Sequence, residues 1–285
     1  MKIRTINLLK STLLFSMLAA ILLIGSKTAF AAQSDNTLDG IKTLEKDKVY
    51  EYDLNGDGKT ETIQYKTSAN DEKYTVAIEL YINDKLCMTR EDHGFSYTLQ
   101  LCDLDKKDNC LDIYGYATQE SDCISYSFFA KYDKNDQLSD IKFSPKSLTK
   151  HFSTARYSLA TIDGNGKFKL LIDTPIFSEA IGCYYCYVPF QLKNDVISSV
   201  STKTYAFSKY SKSYKFKSKK SFSVYDKAGS KKVIYTVKKG ATVTFDTLYV
   251  TGTGKAYFRI RNSKGKTGWI RPEQVNLFVE YPAWG

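Results

Sequence analysis

An all-β fold is predicted by three observations. Short runs rich in Tyr, Phe, Val, Ile and Thr recur along the chain, bounded by Asn, Asp and Gly turns. No long stretch carries the 3.6-residue apolar period of an amphipathic helix. A polar turn running into a short strand recurs three times, at 53–63, 103–113 and 161–171.

The first element lies outside that pattern. Met1 to Lys10 carries Lys2, Arg4 and Lys10 with no acid, a largely apolar stretch runs from Leu13 to Gly25, and Ala29-Phe30-Ala31 follows. This predicts a secretory signal over residues 1–32, cleaved after Ala31 or Ala32. The apolar run is interrupted by Ser16 and is shorter than the roughly 20 residues that span hydrocarbon. A secreted chain with no membrane span after cleavage is the expectation.

Charge divides the remainder. Residues 33–202 hold 19 Lys or Arg against 27 Asp or Glu, a net of −8, whereas residues 203–285 hold 18 against 4, a net of +14. The asymmetry predicts two modules: an acidic repeat domain over 33–202 and, after a basic linker at 203–220, a small domain over 221–285.

Within the acidic part, the three polar turns read DLNGDGKTETI, DLDKKDNCLDI and TIDGNGKFKLL. Each leads into aromatic and β-branched strands that turn again at Asn83-Asp84, near Lys134–Asp136, and at Asn194-Asp195. Asn and Asp suit such turns because they tolerate left-handed backbone and bond their own main chain. The offsets of 50 and 58 residues give three or four strands per unit, a propeller-like period. Three units are fewer than the 4–8 blades of a closed propeller.

The first turn has the donors for a hard cation. Asp53, Asn55 and Asp57 fall on alternate positions, Gly58 permits a sharp bend, Lys59 offers its carbonyl, and Glu61 closes the loop. Calcium takes six or more such oxygens at flexible angles. The closing acid sits at the ninth position and opens a strand, so this is no EF-hand. DLNGDGKTE resembles the calcium loops of the FG-GAP and VCBS repeat families, and that resemblance implies a propeller-type domain with a strand-borne calcium site. The second turn keeps Asp103 and Asp105 but has Lys107 and Leu111 at the third and ninth ligand positions. The third keeps Asp163 and Asn165 with Thr161 and Lys169 at the ends. Calcium is expected at the first turn alone.

In the basic part, SFSVYD, KKVIYTV, ATVTFDTLYV, KAYFRIRN, KTGWI and QVNLFV read as short strands between Gly-bearing turns. VIYTVKKGATVTF at 233–245, YFRIRNSKGKTGWI at 257–270 and the closing EQVNLF resemble a bacterial SH3-like domain. The resemblance implies a small β-barrel that binds peptidoglycan or its peptide bridges. SVYDKAGSKK replaces the usual first loop. Tyr225, Tyr257 and Trp269 are the candidate ligand-binding residues, because rings cover apolar faces of sugars and peptides at low entropic cost. A small barrel also needs aromatic core, which competes for Trp269. Twelve lysines between 203 and 240, against Asp226 alone, suit a polyanion. Charge by itself would admit nucleic acid. Export favours wall teichoic acid or another anionic glycan, so no nucleic-acid partner is expected.

Six cysteines, Cys87, Cys102, Cys110, Cys123, Cys183 and Cys186, favour disulfides in an exported chain, with 15 pairings open. Catalytic residues are not evident. The two imidazoles, His93 and His151, lie in polar loop sequence and are too few for a zinc amidase. The expected function is therefore non-catalytic, a secreted or wall-associated binding protein with a calcium-stabilised repeat domain. The alternative is an accessory or catalytic component of a peptidoglycan hydrolase.

Overall fold

A computed structural model describes residues 38, 40–143, 152 and 156–283. The signal at 1–32 and His151 lie outside the described residues. The fold is all-β and built of antiparallel sheets, none of them closed. A short strand, β1 (Ile41–Thr43), precedes the first sheet but joins the second. The first sheet is the meander β2 (Tyr50–Tyr52), β3 (Glu61–Asn70), β4 (Thr75–Ile82) and β5 (Lys85–His93). The second adds β6 (Ser96–Cys102), β7 (Asp112–Thr118), β8 (Ile124–Tyr132) and β9 (Leu138–Ile141), in the order β1-β6-β7-β8-β9. The third is the meander β10 (Tyr157–Ile162), β11 (Lys167–Asp173), β12 (Tyr185–Lys193) and β13 (Val196–Ser199).

Turn chemistry fixes the hairpins. Asn83 and Asp84 have φ of 50° and 61°, and Asn194 and Asp195 have 51° and 56°. Two consecutive positive values are what a two-residue type I′ connection requires. Side-chain alternation then decides the packing face. On β4, Val76, Ile78, Leu80 and Ile82 are buried while Thr75, Ala77, Glu79 and Tyr81 stay partly exposed. The buried row packs with Leu99, Leu101, Ile113 and Phe128 of the second sheet. From the other face of that sheet, Tyr114 and Phe129 join a second cluster with Phe168 and Phe190 of the third. The second sheet is thus a middle layer, apolar on both sides. Gly115 makes room within it: a Cβ there would stand 2.3 Å from the Phe128 ring.

The fourth sheet collects β14 (Thr204–Ala206), β15 (Phe216–Lys217), β16 (Phe222–Tyr225), β17 (Val233–Val237), β18 (Thr242–Val250), β19 (Ala256–Asn262) and β20 (Thr267–Ile270). Its order is β14-β18-β19-β20-β16-β17, with β15 also on β18. Residues 203–220, expected as a linker, instead supply β14, β15 and a single helical turn, α1 (Lys209–Ser213). The reason is apolar: Tyr205, Phe207 and Phe216 are buried, and Ser208 caps α1 by accepting from Ser211 N. The expected last strand QVNLFV is reduced to a bridge between Ser218 and Phe278. Asn276, at φ 54°, breaks the extended run. Phe278 is held by rings, 5.0 Å from Phe216 and 5.7 Å from both Phe222 and Phe245. One apolar cluster runs from the second sheet through the third into the fourth.

Candidate polar loops and aromatic face

The first polar loop winds around its own acids. Asp53 Oδ1 accepts from Gly56 N at 2.7 Å and Asp57 N at 3.2 Å, and its Oδ2 accepts from Gly58 N at 2.8 Å. Asn55 Oδ1 accepts from Asp57 N at 3.0 Å, and Asp57 Oδ1 accepts from Lys59 N at 2.8 Å. Glu61 Oε2 accepts from Leu54 N at 2.8 Å, which ties the end of the loop to its start. Asp53, Asn55 and Glu61 are buried, and Asp57 and Lys59 are exposed. Burial pushes the Glu61 carboxyl above its usual range, and the negative charges of Asp53 and Asp57 add to the shift. A carboxyl whose charge is disfavoured by burial and by two neighbouring acids lies in a field that a divalent cation relieves. Among the described residues no three His, Cys, Asp or Glu side chains converge as a preformed metal cage. A cation here would also draw on Asn55 and the Lys59 carbonyl.

The second loop repeats the design one residue longer. Asp112 Oδ2 accepts from Leu104 N at 2.9 Å, the bond that Glu61 makes to Leu54. Counting nine positions lands on Leu111, so the sequence comparison misses Asp112. The extra residue between Asp103 and Asp112 was the signal. Asp103 Oδ1 and Asp112 Oδ1 are buried without a hydrogen-bond partner. Burial raises both carboxyls, and Asp112 reaches about 7. Lys131 pairs instead with Asp108. In the third loop, Asn165 Oδ1 accepts from Lys167 N at 3.2 Å.

The loops are joined to one another. Leu111 N donates to Leu54 O at 3.0 Å, and Cys110 Sγ lies 3.3 Å from Asn55 O. Gly56, at φ 70°, approaches Asn109 so closely that a Cβ would meet its carbonyl at 2.6 Å. Gly166 N donates to Leu104 O at 2.7 Å and Lys106 N to Gly164 O at 3.1 Å. Leu54 and Leu104 are fully buried beneath them. The recurrent turn therefore fastens each sheet to the next.

On the fourth sheet the three predicted ligand residues share one face. Tyr225 and Trp269 are cross-strand partners. Tyr249 stands 6.0 Å from Trp269 and 6.2 Å from Tyr257, ring centre to ring centre. The Arg271 guanidinium lies over the Tyr225 ring at 4.0 Å. All five are half-buried, while their strand neighbours Val224, Phe258 and Ile270 point into the core. Trp269 belongs to the outer face because Gly268 takes the inner position, where Val224 Cγ1 would touch a Cβ at 2.5 Å. Sequence reasoning missed Tyr249 and Arg271. Alternation along TLYV and WIR carried that signal.

All twelve lysines between 203 and 240 are exposed. None of them forms an ion pair within the described residues. His93 is exposed as well. The six cysteines, expected to pair, are free thiols. Comparison of the chain with protein-family models, with curated proteins and with solved structures finds no match.

Proposed function

We propose that this chain is a non-catalytic, secreted binding protein held to the cell envelope by its basic half. The first three sheets are read as propeller-like units of the FG-GAP/VCBS kind, and β16–β20 as an SH3-like module. The observation that carries the reading is the twelve exposed lysines without ion pairs among the described residues, on a sheet that also presents the Tyr225, Tyr249, Tyr257 and Trp269 rings. Unpaired surface cations attract polyanions at long range, and the attraction falls as salt rises. Rings with a guanidinium beside them suit the peptide and sugar of peptidoglycan.

The test is sedimentation with purified cell walls. Binding should fall steeply with salt on walls that retain teichoic acid, and Trp269→Ala should weaken binding to walls stripped of it. Binding that ignores both salt and Trp269 defeats the attachment reading. Zymography on the same walls separates binder from hydrolase, since clear lysis would establish the alternative.

Calcium at Asp53, Asn55, Asp57, Lys59 and Glu61 is part of the same proposal, supported by the burial of Glu61 beside the negative charges of Asp53 and Asp57. At an extracellular-type Kd of about 10⁻⁴–10⁻³ M, millimolar calcium would add roughly 0.4–1.4 kcal/mol of stability. A thermal melt should show this increment in the wild type and lose it in Asp57→Ala. An equal shift in both proteins would remove calcium from the first loop.

A further inference from the structure

The ends of the sheets opposite the polar loops also come together. The β3–β4 turn, the β5–β6 turn, the connection 119–123 between β7 and β8 and the connection 174–184 between β11 and β12 all close there. Gly94 N donates to Tyr74 O at 3.0 Å, and Phe95 N donates to Thr118 O at 2.8 Å. The connection 119–123 divides two hollows. One, of 230 Å³, is lined by Tyr74, His93, Phe95, Gln119 and Glu120. The other, of 270 Å³, has Ser121, Asp122, Arg156, Asp173 and Tyr185 in its wall.

Four aromatic rings in the described residues are more than a third exposed, and all four are at this end. Tyr74 is 64% exposed, Phe95 47%, Phe177 63% and Tyr210 69%. Tyr74 and Phe95 meet edge to face at 6.2 Å, and Tyr210 meets Tyr185 at 6.2 Å. Tyr74 also holds a φ of +51°, rare for a bulky residue, with little burial to offset it. Scattered exposed rings need no explanation, but gathered ones mark a binding surface.

Chemistry selects the occupant. The rings are separated by amide, carboxylate and hydroxyl groups, so no continuous apolar strip is offered to a hydrophobic protein partner. The wall's guanidinium, Arg156, is ion-paired with the buried Asp173 at 3.4 Å, and residues 33–202 carry a net of −8, which repels polyanions. Exposed rings that stack on sugar faces, flanked by groups that bond hydroxyls, fit an uncharged glycan. We infer that this end of the sheet stack binds a neutral glycan chain across the 119–123 connection, with Tyr74 and Tyr210 as stacking platforms on either side. This surface is separate from the lysine-bearing sheet and does not depend on it.

The experiment is calorimetric titration of the full chain with β-1,4-linked N-acetylglucosamine hexamer and with cellohexaose. At least one should bind. Tyr74→Ala and Tyr210→Ala should each weaken that binding about three- to tenfold, the loss of one aromatic contact, with unchanged melting temperature. The same losses should appear in a Trp269→Ala background, which removes the ring proposed to meet wall sugar on the fourth sheet. Absence of binding by both glycans overturns the inference, as does undiminished binding by the double variant Tyr74→Ala/Tyr210→Ala. A lysine oligomer that binds where the glycans do not would make this an ammonium site and overturn it equally.

Discussion

Gly115→Ala should lower the thermal midpoint by about 6–12 °C. The added methyl would stand 2.3 Å from two Phe128 ring carbons and 3.2 Å from Leu99 Cδ1. Both neighbours belong to the core between the first two sheets, so the clash has no route to solvent. With the ring held in the core, the cost falls at the upper end of what overpacking brings, about 3 kcal/mol, and a chain of this size loses roughly 2–4 °C per kcal/mol. Shortening the ring in the double variant Gly115→Ala/Phe128→Leu should recover part of the loss. A single variant that melts with the wild type would mean that Phe128 does not lie across β7.

Asp112 should make the fold less stable as pH rises. Its side chain is 2% exposed, with one oxygen bonded to Leu104 N and the other without a partner. Burial pushes its pKa up to about 7, against about 3.9 in an unfolded chain. The folded state therefore prefers the protonated acid. That stability is fully present below about pH 4 and is lost as pH rises through 7, by up to about 4 kcal/mol. Asp103, raised for the same reason, acts in the same direction. Asp112→Asn keeps an acceptor for the Leu104 N–H and removes the titration. Urea unfolding between pH 4 and 8, in calcium-free buffer, should give a falling curve for the wild type and a flatter one for Asp112→Asn. Parallel curves would show that the carboxylate has found a partner.

Much of the fold was legible because β structure announces itself through turns. Asn83-Asp84 and Asn194-Asp195 identified hairpins since few other pairs accept two left-handed residues in succession. The strands from Phe222 to Ile270 were bounded by glycines that the structure uses at positive φ, among them Gly229, Gly240 and Gly265. What failed depended on distance in space. A ladder of fixed positions could not anticipate that an insertion would hand the role of Glu61 to Asp112. The need of a small barrel for aromatic core competed with the ligand face for Trp269. The core position fell to Gly268, because Val224 and Ile234 already fill the space a side chain there would need. The 203–220 segment looked like a tether because lysine is its most frequent residue. Three buried rings nevertheless bind it to the sheet.

The second sheet has consequences for how the protein comes apart. Neither of its surfaces is fit to meet water, since Leu99, Leu101 and Ile113 face one neighbour and Tyr114 and Phe129 the other. Such a layer has no independent existence. A protease that clipped away the first meander would leave a fragment with a bare aliphatic wall, prone to self-association rather than to survival as a smaller folded unit. Loss of either neighbour is therefore loss of the second sheet, and proteolysis of the first meander should yield aggregate rather than a stable core fragment.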